Sequence, residues 1–262
     1  MMSKLTPEDV VLRYSKRGMN ILKKYLKDGY CRTAAEKLLH AERGTVLLTT
    51  GFYVAGYAET DGPLGTVAVA EALNHLGFHS VIVTDKYCKG FFELKQLDVE
   101  YVDIAADEQV YEDILDKYNP VYMISIERCG ENAEHEYANM RGVSITSETA
   151  AIDHLFELAP EKHIPTIGVG DGGNEIGMGN VKDIISEKLE LNPCVVPVDD
   201  LIIATTSNWG AYALTAWLQK LSGEEVLFTY EEAEPYLAAT LEIGSVDGVL
   251  KEKKMGVDGF DM

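Results

Sequence analysis

A glycine-rich loop with three polar side chains is the segment of this sequence best suited to chemistry. Residues 165–179 read P-T-I-G-V-G-D-G-G-N-E-I-G-M-G, so Asp171, Asn174 and Glu175 lie among glycines directly after a short apolar run. Glycine lets the backbone approach a ligand closely. A P-loop carries Lys and Ser or Thr, whereas oxygen ligands in a tight loop suit Mg²⁺ or Mn²⁺. The loop therefore indicates a divalent metal site; the alternative is a turn in which Asp171 caps the next helix.

Three more loops place polar residues directly after an apolar, β-type run. These residues are Glu59 and Asp61 after 45–50, Glu127 and Arg128 after 121–126, and Asn208 and Trp209 after 201–206. Each loop also has a structural explanation, namely a D-G-P turn at Asp61, a local Glu127–Arg128 ion pair, or Asn208 as a helix N-cap.

Together the four loops bring five carboxylates to one face of the predicted sheet, because ligand sites lie beyond the carboxyl ends of parallel strands. Their mutual repulsion would be costly without cations. We therefore predict a bound Mn²⁺ or Mg²⁺ with Asp171 and Glu175 as its first ligands and Glu59 and Asp61 as the next candidates.

The same loops supply candidates for binding a small polar ligand. Arg128 and Arg141 suit bidentate recognition of a carboxylate or phosphate, although surface ion pairing is equally compatible with either. Trp209 suits an apolar wall or simply the core. Cys129 has no histidine placed by sequence to activate it, which favours a passive thiol. The substrate-binding candidates are Thr50, Gly51, Arg141, Gly172, Gly173, Asn174, Asn208 and Trp209.

Strand and helix patterns alternate through most of the chain. Short β-branched runs predict strands at 45–50, 80–84, 99–104, 121–126, 166–169, 201–206 and 225–229, and helical periodicity predicts helices at 65–76, 108–118, 147–159, 176–189 and 212–221. Such alternation is typical of a three-layer α/β/α fold with a mostly parallel sheet. Residues 8–39 have helical spacing broken near Gly18 and Gly29. We therefore expect one α/β domain over 1–262, with 1–44 as an N-terminal helical extension.

Composition narrows the class of partner. Lys and Arg total 23 against 43 Asp and Glu, a net charge of −20 that argues against nucleic acid and anionic membranes. The four cysteines form no C-x-x-C pair, and no apolar run is long enough to span a bilayer. We expect a cytoplasmic protein with a small-molecule ligand. An apolar helix face at 67–73 leaves a homo-oligomer possible.

Six motifs occur in order along these loops, namely T-G-F at 50–52, E-T-D-G-P-x-G at 59–65, S-I-E-R at 125–128, N-M-R-G at 139–142, G-D-G-G-N-E-I-G-M-G at 170–179 and S-N-W-G at 207–210. Together they resemble the motifs of the D-glutamate cyclase family. One departure is Cys129, where proline is expected. The resemblance implies cyclisation of D-glutamate, or a related amino acid, to 5-oxo-D-proline with loss of water.

A mechanism for that reaction is compatible with the candidate residues. The metal would polarise the side-chain carboxylate, Glu127 would accept a proton from the α-ammonium, and Arg128 or Arg141 would hold the α-carboxylate. Catalysis is thus assigned to Glu127, Asp171 and Arg128. Two alternatives stay open at this point: a Mg²⁺- or Mn²⁺-dependent phosphatase acting on a small phosphorylated metabolite, and a non-catalytic metabolite- or metal-binding protein.

Overall fold

A six-stranded parallel sheet forms the centre of the computed structural model, which describes residues 5–262. The sheet has the order β5-β4-β1-β6-β7-β8. Its strands are β1 (Thr45–Thr49), β4 (His79–Thr84), β5 (Asp98–Tyr101), β6 (Tyr122–Ile126), β7 (Thr166–Gly170) and β8 (Asp200–Ile203). Every residue of β6 and β7 is buried, as expected for parallel strands covered on both faces.

Helices cover both faces of the sheet, which confirms the predicted three-layer α/β/α fold. Helices α4 and α8 pack on each other and on the sheet, with α3 and α1 against α8, while α5 and α6 form a separate pair. The helices are α1 (Pro7–Val11), α2 (Met19–Leu22), α3 (Tyr30–His40), α4 (Pro63–His75), α5 (Gln109–Tyr118), α6 (His154–Lys162), α7 (Lys182–Leu189), α8 (Ser207–Ser222) and α9 (Tyr230–Ile243). None of the helices formed by residues 5–262 has the length and apolar character that a bilayer crossing requires.

Two short antiparallel hairpins lie outside the central sheet. The first joins β2 (Tyr53–Val54) to β3 (Tyr57–Ala58), and the second joins β9 (Gly256–Val257) to β10 (Phe260–Asp261). The first hairpin follows β1 directly, and the second lies in the segment after α9. Both hairpins therefore contribute to the loops around the site described below.

The N-terminal segment is helical and is broken where the sequence predicts. Both Gly18 and Gly29 have left-handed backbone, with φ of 87° and 72°, and they directly precede α2 and α3. Glycine takes this conformation without the steric cost that other residues meet. The turn at Gly18 directs the side chain of the preceding residue, Arg17, toward the carboxyl end of the sheet, where its guanidinium contacts Asp171.

The predicted strand at 225–229 is wrong. This segment is a connection without regular secondary structure whose apolar side chains, among them Val226 and Phe228, pack on the core, and it ends at Thr229. A capping box between Thr229 and Glu232 then begins α9, a helix that the periodicity did not indicate. Two predicted helices also begin later than expected, at His154 and at Lys182, because loops of the site occupy the residues before them.

The order of the strands creates a switch point between β1 and β6. Chain connections leave β1 toward β4 on one side and return to β6 on the other, which opens a crevice outside the carboxyl ends of these two strands. The loops after β1, β6, β7 and β8 all meet there. These are the four loops that the sequence singled out.

Candidate functional site

A pocket of 280 Å³ lies at this carboxyl edge of the sheet. It is lined by two buried carboxylates, three cationic side chains and a rim of apolar and amide groups. The charged lining residues are Arg17, Glu59, Glu127, Arg141 and Lys251, and Phe52, Met140, Ile145 and Asn174 are among the others. Both signs of charge in a small concave site suit a zwitterionic or polyanionic small molecule.

Four of the five carboxylates that were predicted to converge lie in two groups that share Asp171; Glu59, the fifth, is in neither group, and Asp258 was not predicted. In one group, ligand atoms of Asp61, Asp171 and Asp258 lie within 4.8 Å of one another, and in the other the same holds for Glu127, Asp171 and Glu175. All of these side chains are buried. Either group offers the oxygen ligands that a hard divalent cation takes.

Arg17 is the main counter-ion of this cluster, and the sequence did not point to it. Its Nη1 lies 2.7 Å from both oxygens of Asp171 and 2.7 Å from Oδ2 of Asp258. Burial alone would lower the pKa of Arg17, but the two neighbouring carboxylates raise it above its ordinary value. Arg17 and Asp171 are 154 residues apart, and no local pattern links them. The only indication in the sequence is that several clustered carboxylates repel one another unless a cation neutralises them.

Asp61 and Asn208 bind each other's helix. Asp61 accepts N–H groups of Ser207 at 2.8 Å and Asn208 at 2.7 Å at the start of α8, and Asn208 Oδ1 accepts from Gly62 and Gly65 at the start of α4. A carboxylate at a helix N-terminus satisfies orphan N–H groups and interacts favourably with the helix dipole. Asn208 therefore holds the start of α4 against the start of α8, and it is not among the residues that line the pocket.

Glu175 organises the glycine-rich loop. Its two carboxylate oxygens accept the backbone N–H groups of Asp171 at 3.2 Å, Gly172 at 2.6 Å and Gly173 at 2.7 Å. The amides of Gly172 and Gly173 therefore point at Glu175 and are not free to bind a ligand. This arrangement makes Glu175 a weaker candidate for a metal ligand than the sequence indicated.

We expect Glu175→Gln to destabilise the protein by about 2 to 3 kcal/mol, because the amide NH₂ would face backbone donors that now bind a charged acceptor. Urea unfolding measures the loss. Glu187→Gln, on the exposed side of α7, is the matched control and should change stability little. Equal stability of the two variants would contradict this role for Glu175.

Glu127 and Glu59 are the two carboxylates that face the pocket. Burial, reinforced by neighbouring acids, raises the pKa of both well above the ordinary range. Glu127 accepts a hydrogen bond from the Ser207 hydroxyl, and its backbone has a φ of 49°, an uncommon conformation for a residue other than glycine. A Cβ atom at Gly248 would overlap the Glu59 carboxylate, so this close approach requires glycine.

Arg128 lies behind the pocket and not in it. Its side chain is fully buried and donates to Asp85 at 2.6 Å and to the carbonyls of Gly51 at 2.8 Å and Ala150 at 2.6 Å. The prediction that Arg128 contacts substrate is therefore wrong, and so is the alternative of a local ion pair with Glu127. The contacts of Arg128 hold the loop after β1 against the end of β6. Thr50 and Gly51 belong to this loop and, like Arg128, are not among the residues that line the pocket.

The remaining candidates divide between the pocket and its surroundings. Arg141 is exposed and lines the pocket, and Asn174 lines it while donating to the Ala138 carbonyl at 2.8 Å. Trp209 lies elsewhere: it borders a separate cavity of 260 Å³ and packs on Phe260, with ring centroids 5.2 Å apart. The structure therefore places Arg141 and Asn174 at the site and Trp209 outside it.

The buried acids make stability depend on pH. Burial and then Asp258 raise the pKa of Asp61 to about 7, and the pKa values of Glu59, Glu127 and Asp171 are also raised. The folded state thus holds protons that the unfolded chain releases above about pH 4.5. We expect the metal-free protein to lose at least about 2 kcal/mol of stability between pH 5 and pH 8, measured by urea unfolding in EDTA. A stability that rises over this interval would contradict the raised pKa values.

Fold and site together define a doubly wound α/β protein. Its pocket, at the switch point of the sheet, is lined by both carboxylates and cationic side chains. Comparison with known proteins narrows this class. The chain belongs to the family described as D-glutamate cyclase-like, C-terminal, whose family model matches residues 8–262.

One relative is the mitochondrial D-glutamate cyclase of Homo sapiens, which is 34% identical over 212 residues. The matched region makes up 71% of this chain and 34% of that relative, so the chain spans about a third of its length. Among solved structures, TcdA (CsdL) is 12% identical with a TM-score of 0.34, covering 80% of this chain and 96% of that one. A UDP-glucose 4-epimerase from Brucella ovis in complex with NAD is 15% identical with a TM-score of 0.32, covering 56% and 49%.

Proposed function

We propose that this protein is a D-glutamate cyclase-like lyase, which closes D-glutamate or a related amino acid to 5-oxo-D-proline with loss of water. One observation carries the proposal. The residues matched by the family model include the whole lining of a pocket in which two carboxyls of raised pKa, Glu59 and Glu127, lie with three cationic side chains. An acidic amino acid presents the complementary groups, namely two carboxylates and one ammonium.

Substrate orientation is assigned to the exposed cationic side chains of the pocket. Arg141 and Lys251 line it from two different loops, and both are exposed. Arg141 is the better partner for the α-carboxylate because a guanidinium binds a carboxylate in bidentate fashion. With the α-carboxylate held at the rim, the ammonium and the side-chain carboxyl extend toward Glu59 and Glu127. Holding both reacting groups in one pocket supplies much of the rate advantage of ring closure.

Proton transfer is assigned to Glu127. In the reaction the nitrogen attacks the side-chain carboxyl carbon, a C–N bond forms, and one carboxylate oxygen leaves as water. The ammonium loses two protons and the departing oxygen gains two, so no proton is consumed overall. A carboxyl whose pKa lies above its usual range can accept a proton from the nitrogen and return it to the oxygen. Glu59, which also lines the pocket, is the second carboxyl available for this exchange.

A divalent cation, Mn²⁺ or Mg²⁺, is part of the proposal. Asp171 belongs to both carboxylate groups and is buried without solvent contact, which makes it the central ligand candidate. When bound, such a cation supplies Lewis-acid polarisation of the side-chain carboxyl and neutralises the clustered acids.

Chirally resolved chromatography tests the proposed reaction. Purified protein is incubated with D-glutamate or L-glutamate and Mn²⁺, and 5-oxoproline is followed above the enzyme-free rate. Product from the D isomer alone, abolished by a chelator, is the expected result. Absence of product from both isomers withdraws the cyclase proposal. Phosphate release from an aryl phosphate would then favour the phosphatase, and a ligand-induced rise in Tm without turnover would favour a binding protein.

A further inference from the structure

Two V-D-G turns in the last part of the chain, at 246–248 and 257–259, are physically connected. Asp247 of the first turn is fully buried and accepts N–H groups of Val249 at 2.9 Å and Leu250 at 2.7 Å within its own turn. Its second oxygen accepts the N–H of Gly259 at 2.8 Å, in the second turn. The first turn therefore holds the second in place.

Asp258, in the second turn, is held with its carboxylate directed into the acidic cluster. Its side chain is only 4% exposed, and no group within residues 5–262 donates a hydrogen bond to its Oδ1. Arg17 Nη1 lies 2.7 Å from Oδ2, but the same nitrogen donates to both oxygens of Asp171. A buried carboxylate with one oxygen unpaired and the other sharing its partner is costly, and a bound cation is one of the few partners that offset that cost.

We propose that Asp258 completes, with Asp61 and Asp171, a binding site for one hard divalent cation of the Mg²⁺ or Mn²⁺ type, and that Arg17 competes with the cation for these carboxylates. This inference deepens the proposed function by naming the ligands of its cation, and it is tested by binding alone. Oxygens of the three side chains lie within 4.8 Å of one another, and an all-oxygen set selects a hard cation.

The balance of charge favours a cation in addition to Arg17. Five buried carboxyls, those of Glu59, Asp61, Glu127, Asp171 and Asp258, lie in the cluster or the pocket, and Arg17 contacts two of them, Asp171 and Asp258. In the alternative group of Glu127, Asp171 and Glu175, both oxygens of Glu175 already accept backbone N–H groups. Asp61 likewise accepts backbone N–H groups with both of its oxygens. The two groups therefore differ in Asp258, whose Oδ1 accepts no hydrogen bond from residues 5–262.

Calorimetric titration of Mn²⁺ into the substrate-free protein tests the site. Wild type should bind one Mn²⁺, and Asp258→Asn should raise Kd at least about tenfold. Asparagine tolerates the left-handed backbone at this position, where φ is 52°, so the turn should persist. Asp261→Asn is the matched control: this residue lies in the same hairpin, is exposed and pairs with Lys254, and its Kd should equal that of wild type.

Arg17→Met tests the competition. Removing the guanidinium should tighten Mn²⁺ binding at least about tenfold, and Mn²⁺ should raise Tm more in this variant than in wild type. No binding by wild type at millimolar Mn²⁺, or equal Kd values for wild type and Asp258→Asn, would overturn the site, and an unchanged Kd in Arg17→Met would overturn the competition. Because no substrate is present, failure of the cyclase reaction leaves these results interpretable on their own.

Discussion

Arg17→Met should lower the free energy of unfolding at pH 8, without added divalent cation, by about 3 kcal/mol. Arg17 is the guanidinium that contacts both Asp171 and Asp258, and methionine keeps an unbranched apolar stem at this position while removing the charge. Breaking a buried pair by deleting one partner leaves the other charge uncompensated, which is the costly case. Urea unfolding followed by circular dichroism measures the loss.

Two controls separate the charge effect from lost packing. Arg13→Met, at an exposed position of the same segment, should change stability by less than about 0.5 kcal/mol. The double variant Arg17→Met/Asp171→Asn should regain part of the loss, because it removes an acid that the guanidinium had neutralised. At pH 5 the loss should shrink, since the buried carboxyls then bind protons. A loss that is the same at pH 5 and pH 8 would show that Arg17 acts through packing.

Glu127→Gln should reduce the rate of 5-oxoproline formation by about 100- to 10,000-fold, the range that general acid–base groups contribute. Glutamine preserves the shape of the side chain and can accept the Ser207 hydrogen bond, but it cannot exchange a proton. KM should change little, because the cationic groups that hold the substrate remain. Steady-state kinetics with D-glutamate measures both constants.

Glu136→Gln is the matched control for this variant, because Glu136 is exposed on the loop that follows the same strand. It should retain the wild-type rate. The pH–rate profile adds a second readout, since the limb assigned to the Glu127 carboxyl should disappear in Glu127→Gln. A variant that keeps its rate and its profile would remove Glu127 from the reaction and leave Glu59 as the carboxyl to test.

The sequence predicted the fold class and the loops of the site because both depend on local patterns. Alternating strand and helix signals predict a parallel sheet, and a parallel sheet brings the residues after its strands to one edge. The structure accordingly gathers Glu59, Asp61, Glu127, Asp171 and Glu175 there. Helix α9 was not predicted because the apolar, β-type run at 225–229 indicated a strand. The capping box that begins the helix starts at the last residue of that run, Thr229.

What could not be predicted depends on contacts between distant parts of the chain. Asp85 and two carbonyl groups determine that Arg128 is buried, and none of them is near Arg128 in sequence. The contact of Arg17 with Asp171 and the placement of Asp258 by Asp247 likewise require the folded chain. Residue type and spacing identify which groups can do chemistry, but they do not say which of these groups are already bound to a neighbour.

The ion pair between Arg17 and Asp258 also has a consequence for folding kinetics. The two residues lie near opposite ends of the described chain, so their contact closes a very long loop and belongs to the late, non-local events of folding. Until it forms, the acids at the sheet edge repel one another without their guanidinium. We expect that repulsion to disfavour compact intermediates in which the sheet is formed but either end is detached. The acidic cluster should therefore make folding more cooperative, as well as supplying the residues of the candidate site.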